Sequence, residues 1–114
     1  MSPRRPDRLR IDKSAPVFAA LGDVTRLALL ARLCADGPAS IAALTIATAV
    51  TRQAVTKHLQ VLAAAGLVHD RRDGRERVWE LDVAPLADAK RSLEHISQQW
   101  DAALDRLQAL VEKA

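Results

Sequence analysis

Arg52, Gln53, Thr56, Lys57 and Gln60 lie within one short stretch of this chain, and their side chains suit the edges of nucleic-acid bases. A glutamine amide offers a donor and an acceptor together, matching adenine. Lysine and arginine donate to guanine or to phosphate, and threonine adds a hydroxyl and a methyl group. Helical spacing sorts the segment into two faces. With Val55 at zero, Leu59 and Leu62 fall within about 40° of it, while Thr56, Gln60, Gln53 and Lys57 fall between about 100° and 200°. One side is apolar and the other can be read. His58 sits near 300° on the same wheel, at the edge of the apolar face. We read it as a partly buried hydrogen-bonding group that orients the helix or reaches one phosphate.

A second cationic group follows. Arg71, Arg72, Arg75 and Arg77 flank Asp73-Gly74, a dipeptide that favours a tight hairpin turn because glycine tolerates positive φ. Arginines on a narrow hairpin straddle phosphates or enter a minor groove, which supplies salt-sensitive affinity rather than sequence choice. Asp70, Asp73 and Glu76 lie among them, so exposed ion pairs are the competing use of Arg71 and Arg77.

Other chemistries find little footing. Cys34, the sole cysteine, excludes an intrachain disulfide, and its helical position reads as a buried, inert thiol. Cys34 and His58 belong to separate helices, no serine has a nucleophile's setting, and no glycine-rich phosphate loop occurs. His69 and His95 lack a second ligand at metal-site spacing. We expect no enzyme, no metal and no cofactor. No apolar run reaches membrane-spanning length, and no apolar segment follows the N-terminal MSPRRPDRLR. The expected compartment is the cytoplasm, with no membrane partner.

At 114 residues the chain has room for one modest core. Its net charge of +3 and pI near 9.6 permit a polyanionic partner without requiring one. The charge is unevenly placed. Residues 51–77 carry Arg52, Lys57, Arg71, Arg72, Arg75 and Arg77 against Asp70, Asp73 and Glu76, whereas residues 78–114 are net acidic.

Positioning these groups requires a small set of elements. Residues 1–13, with Arg4, Arg5, Arg8, Arg10 and Lys13, read as a flexible basic arm. A short helix from Ser14 through Val17, Phe18 and Leu21 stops at Gly22. Asp23 caps a second helix over 24–35, with Leu27, Leu30 and Leu33 inward. Asp36-Gly37-Pro38 breaks it, and Ser40 caps a third over 41–47. Thr51 caps the fourth, to about Ala65, and Gly66 provides its exit. The third and fourth helices, joined across Thr48-Ala49-Val50, form a helix-turn-helix. Strands over 67–71 and 76–81 make the hairpin, with Trp79 and Leu81 on one face and Val78 and Glu80 on the other. A long last helix runs to about Val111 with a stripe of Leu86, Ala89, Leu93, Ile96, Trp100, Leu104, Leu107 and Val111. The compact core leaves much of that stripe uncovered, and a homodimer buries it most simply. Val17, Phe18, Leu93, Ile96, Trp100, Leu104 and Leu107 are the expected dimerisation residues. The fold class is mainly α with a small β-hairpin, a winged helix-turn-helix, over 14–82, with 83–114 as the dimerisation helix of the same domain.

From Phe18-Ala19-Ala20-Leu21-Gly22-Asp23, through the run from Val50 to Leu59, to Gly66-Leu67-Val68, the sequence resembles the ArsR/SmtB family of bacterial repressors. It looks closest to the branch without metal-binding residues. The resemblance implies a winged-helix homodimer whose first and last helices pack across the two-fold axis. It implies paired reading helices on a palindromic operator, repression of transcription, and release by an effector. Carried onto this chain, Arg52, Gln53, Thr56, Lys57 and His58 are the reading-helix residues, and Arg72, Gly74 and Arg75 belong to the wing. Metal-sensing members have cysteines along the third helix; the matching region here has Ser40 and Ala42. The last helix offers His95, Asp101 and Asp105 without a second histidine. Val24 replaces the usual proline after Asp23.

The function these readings support is sequence-specific recognition of double-stranded DNA by a transcriptional repressor that answers to an unknown small-molecule effector. A pocket beside Trp100 is one place for such a molecule. The rival reading is a protein-interaction module on the same scaffold, gripping its partner with the last helix; RNA binding is a third. Arg52, Lys57 and the wing arginines together favour DNA, since a protein adaptor has no need of both groups.

Overall fold

The computed structural model describes residues 6–113, with side chains from residue 12 onward. Five helices and one antiparallel hairpin follow in the order α1 (Pro6–Leu21), α2 (Val24–Asp36), α3 (Ile41–Thr48), α4 (Arg52–Ala64), β1 (Val68–Asp73), β2 (Glu76–Leu81) and α5 (Val83–Lys113). This is the expected winged helix-turn-helix, mainly α with one small hairpin.

Side-chain caps start three of the helices. Asp23 accepts from the Arg26 amide at 3.0 Å, Ser40 from Ala43 at 3.2 Å and Thr51 from Ala54 at 3.1 Å, each satisfying one of the orphan donors of a first turn. The exit from α4 is a Schellman arrangement: the Leu67 amide donates to the Leu62 carbonyl at 2.9 Å and Gly66 to Ala63 at 2.9 Å. Gly66 has φ +78°, a conformation that costs a side-chain-bearing residue. The chain then drops Leu67, fully buried, into the core.

The core is one cluster. Leu29, Leu30 and Leu33 of α2, Leu44 of α3, and Val55, Leu59 and Leu62 of α4 meet Leu67, Val68 and Trp79 of the hairpin, with Val17, Ala20 and Ala89 closing the side toward α1 and α5. A two-bond bridge between Ala39 and Trp79 (3.0 and 2.8 Å) ties the hairpin to the start of α3. Asp73 pairs with Glu76, so the hairpin loop is only Gly74-Arg75. Among the described residues positive φ occurs there at Gly74 alone, +66°, which matches a two-residue turn with glycine first.

Four expectations are corrected. The first helix begins at Pro6 rather than Ser14, so residues 6–13 are helical; the first five residues of the supposed basic arm lie outside the described ones. Proline at a first helical position already has the required φ and lacks only an amide that would be an orphan anyway. In α2 the inward stripe is Leu29, Leu30 and Leu33, while Leu27 is 48% exposed. Arg26 lies in line with Leu29, Leu30 and Leu33 on the inner side instead, where its guanidinium donates to the Ala20 carbonyl. The same rotation puts Cys34 outside, not in the core. Finally, Val78 is buried as well as Trp79, so the second strand does not alternate as expected.

The α3–α4 turn carries a measurable strain. Ala49 caps α3 in the left-handed region, φ 56°, ψ 27°, where Cβ crowds the carbonyl oxygen. Ala49→Gly should therefore raise unfolding stability by about 0.5–1 kcal/mol, as read from urea denaturation; a loss of stability would contradict this account of the turn.

Candidate nucleic-acid interface

Burial fixes which way α4 faces. Val55, Leu59 and Leu62 are each 0% exposed, so the helix cannot rotate about its axis without taking branched side chains into water, at roughly 1.5–3 kcal/mol for each one exposed. Arg52, Gln53, Lys57 and Gln60 are in consequence directed outward and exposed. None of these four side chains has a hydrogen-bonding or ionic partner among the described residues. Thr56 is half-buried; its hydroxyl donates back to the Arg52 carbonyl at 3.0 Å, leaving the methyl group and the oxygen lone pairs to the surface.

His58 faces the other way. Its Nδ1 lies 3.4 Å from a terminal guanidinium nitrogen of Arg26 and 3.8 Å from the Asp23 carboxylate. Arg26 in turn donates through Nε to the Ala20 carbonyl at 2.6 Å and through its other terminal nitrogen to Ala19 at 3.4 Å, occupying acceptors at the C-terminus of α1. His58 is partly buried, bridges α4 to the α1–α2 corner, and does not share the outer face with Gln53 and Lys57. Arg26 went unnoticed in the sequence. Its signal was an arginine in the first turn of a helix, the end where the macrodipole disfavours a cation; such a residue needs acceptors elsewhere.

The wing divides its arginines. Arg71 pairs with Glu80 at 3.2 Å, and Arg77 pairs with Asp70 at 2.6 Å while its guanidinium lies 5.3 Å from the centre of the Trp79 ring. Both make the exposed ion pairs that were the alternative to phosphate contact. Arg72 and Arg75 make no ion pair among the described residues. His69 at the wing base stands between Glu80 at 3.2 Å and Asp82 at 3.5 Å. Among the described residues no three His, Cys, Asp or Glu side chains gather as a metal cage.

Two carboxylates show the local fields. Asp23 is held below the ordinary carboxylate range chiefly by the Arg26 amide, with the charges of Arg26 and His58 assisting. Asp70 is lowered chiefly by the hydrogen bond from Arg77 and by its charge. For both, the stabilising interaction is present above the ordinary carboxylate pKa and fades as pH falls through the lowered one.

The expected dimerisation residues separate into two groups. Val17 is buried in the chain's own core and Phe18 packs against it, so Val17 has no surface left to offer a partner. Along α5, Ala89 and Ser92 are buried; the Ser92 hydroxyl meets that of Ser14 at 3.4 Å. Beyond them, Leu93, Trp100, Leu104, Leu107, Leu110 and Val111 are 53–67% exposed, and Ile96 is half-buried.

A helix-turn-helix, a two-stranded wing and a long C-terminal helix on one small core define a winged-helix regulator. Comparison with known proteins agrees. A helix-turn-helix domain family matches residues 21–71. The HTH-type transcriptional regulator Rv2034 of Mycobacterium tuberculosis is 38% identical, over 96% of this chain and 91% of its own length. The structure of an ArsR-like transcriptional regulator from Rhodococcus sp. RHA1 superposes with a TM-score of 0.77 at 37% identity, covering 88% of this chain and 93% of that one. The homodimeric winged helix-turn-helix domain Mb0332 of Mycobacterium bovis superposes at 0.62 with 26% identity, over 92% and 94% of the two chains. The chain belongs to the ArsR family of winged helix-turn-helix transcriptional regulators. No described helix is long and apolar enough to cross a membrane.

The wing's pairing has a direct spectroscopic consequence. Arg77→Ala should move the Asp70 titration up toward the ordinary carboxylate range, followed by side-chain carboxyl NMR, and leave Asp23 where it was. An unmoved Asp70 would mean that the pair does not persist in solution.

Proposed function

We propose that this protein is a homodimeric, sequence-specific repressor that reads a palindromic operator in double-stranded DNA and leaves it when an effector binds. The observation that carries the reading is the set of polar side chains without partners on one surface. Arg52, Gln53, Lys57 and Gln60 on α4 stand beside Arg72 and Arg75 on the wing, while the chain's other wing arginines are occupied at home. Polar groups of this kind on a helix pinned by a rigid core suit base edges. Gln53 and Lys57 read the major groove, Thr56 contributes its methyl group, and Arg52 and Gln60 flank them. Arg72 and Arg75 take phosphates. Arg71 and Arg77 join them only by giving up Glu80 and Asp70. His58 acts by holding α4 in place.

A second copy of the chain accounts for the tail. The radius of gyration is 19.0 Å, against about 13 Å for a compact chain of this length, because α5 runs past the core with Leu93, Trp100, Leu104 and Leu107 uncovered. The name of the M. bovis relative records a homodimer, and the same assembly here would sheathe this stripe. The effector acts on that assembly, beside Trp100 or elsewhere along the pairing, by changing the spacing of the two reading helices.

Selection of bound duplexes from a random pool should return an inverted repeat. Gln53→Ala with Lys57→Ala should then reduce the preference for that repeat over unrelated duplex by at least tenfold, since each base contact contributes about 1–3 kcal/mol of discrimination. Unaltered preference would remove these two residues from the reading surface. Arg72→Ala with Arg75→Ala should instead weaken binding to every duplex and flatten the salt dependence by about two units of slope.

Replacement of Trp100 by aspartate tests the assembly separately. Sedimentation should report a dimer for the natural chain and a monomer for W100D, the latter with operator affinity lowered at least tenfold. A dimer undisturbed by that buried charge would place the interface elsewhere.

A further inference from the structure

His69, at the start of the wing, has a carboxylate at each of its ring nitrogens. Nε2 lies 3.2 Å from a Glu80 oxygen and Nδ1 lies 3.5 Å from an Asp82 oxygen. Glu80 is its partner across the hairpin, so the two side chains share a face of the sheet. Asp82 belongs to the link between β2 and α5, where its amide closes the base of the hairpin by donating to the Leu67 carbonyl at 2.8 Å. A neutral imidazole has one N–H donor and one lone pair, whereas the imidazolium has two donors. Both carboxylates are therefore satisfied only by the protonated ring, and a neutral ring turns its lone pair on one of them. Because the carboxylates flank opposite nitrogens, the cluster suits a proton rather than a metal ion, and no metal cage forms among the described residues.

A second cation competes for the same oxygen. Glu80 Oε1, which His69 approaches, also accepts from Arg71 Nε at 3.2 Å. Arg71 stands on the same face, two residues along β1 from His69. The remaining charges nearby are committed or distant. Asp70 and Arg77 pair with each other on the opposite face, α4 has no ionisable side chain after His58, and α5 has none before Asp88. With His69 neutral, Arg71, Glu80 and Asp82 leave one net negative charge, and Arg71 is the only cation that Glu80 meets. With His69 charged, two cations contend for Glu80, and the imidazolium has Asp82 to hold it in addition. All four side chains are partly exposed, where a single ion pair contributes little. A rival cation within reach of the shared oxygen is enough to dislodge Arg71.

From this arrangement we infer that His69 is a proton-operated clasp at the base of the wing. Charged, it draws Glu80 and Asp82 together and releases Arg71 to solvent; neutral, it returns Glu80 to Arg71. Imidazole side chains change charge between about pH 5 and 8, so the wing gains a free arginine as its surroundings turn acid. The consequence for DNA rests on the function proposed above. Arg71 then joins Arg72 and Arg75 at the phosphates, which tightens the hold on every duplex without changing sequence preference.

Side-chain NMR of the full chain without DNA tests the clasp itself. Acidification from about pH 8 to about pH 5.5 charges imidazoles and leaves ordinary carboxylates ionised, and the Arg71 Nε resonance should move in a single step. His69→Gln keeps a donor but cannot take up a proton, and should abolish the step. Glu80→Gln should hold the resonance at its acid position throughout. With the selected duplex, the salt dependence of binding should steepen on acidification by about one unit of slope more in the natural chain than in His69→Gln. An Arg71 resonance that does not step, or that steps equally in His69→Gln, overturns the inference. A step that depends on His69 with no difference in slope upholds the clasp and removes Arg71 from the duplex contacts. Failure of the clasp and failure of the DNA reading are thereby told apart.

Discussion

Full burial of Val55, Leu59 and Leu62 is the constraint from which the working surface follows. These three side chains lock α4 against Leu29, Leu30 and Leu33 of α2 and Leu44 of α3, so the outward direction of Gln53 and Lys57 is set by packing rather than by any contact of their own. The capping hydroxyl of Thr51 fixes where the helix starts, and the Gly66 exit fixes where it ends and aims Leu67 into the core. In the role proposed for it, a helix held in this way would have little conformational entropy left to lose on binding except in its long side chains.

Polar contacts then join this core to the rest of the molecule. Arg26 gathers the last carbonyls of α1, the Asp23 cap and His58 into one corner, so a shift of α1 is felt at α4. The bridge from Ala39 to Trp79 does the same for the wing. α1 also packs on α5, so packed groups run without a break from α5 through α1 to α4. The release proposed above would use that continuity, which ordinary hydrogen bonds and packing supply.

Much of this was legible in the residues. The apolar spacing of Val55, Leu59 and Leu62, the caps at Asp23, Ser40 and Thr51, and the Asp73-Gly74 turn are local signals, and local signals locate α4 and the wing to within a residue or two. What escaped was set by tertiary context. An arginine such as Arg26 does not read as part of an inner stripe until the α1 carbonyls that accept from it are in place, and apolar spacing alone therefore points Leu27 inward. Prolines at positions 6 and 16 with a basic run between them obscured the early start of α1. Val17 reads as an interface residue in the sequence, which does not reveal how much of α1 the chain covers by itself.

The central claim is that the outer face of α4 enters a major groove, twice per assembly. Hydroxyl-radical and methylation footprinting on the selected duplex tests it most directly. The account predicts two protected major-groove segments on one face of the duplex, related by a two-fold axis and separated by about one helical turn, 10–10.5 base pairs, or a small multiple of it. A single protected segment, or protection confined to the minor groove, would contradict it.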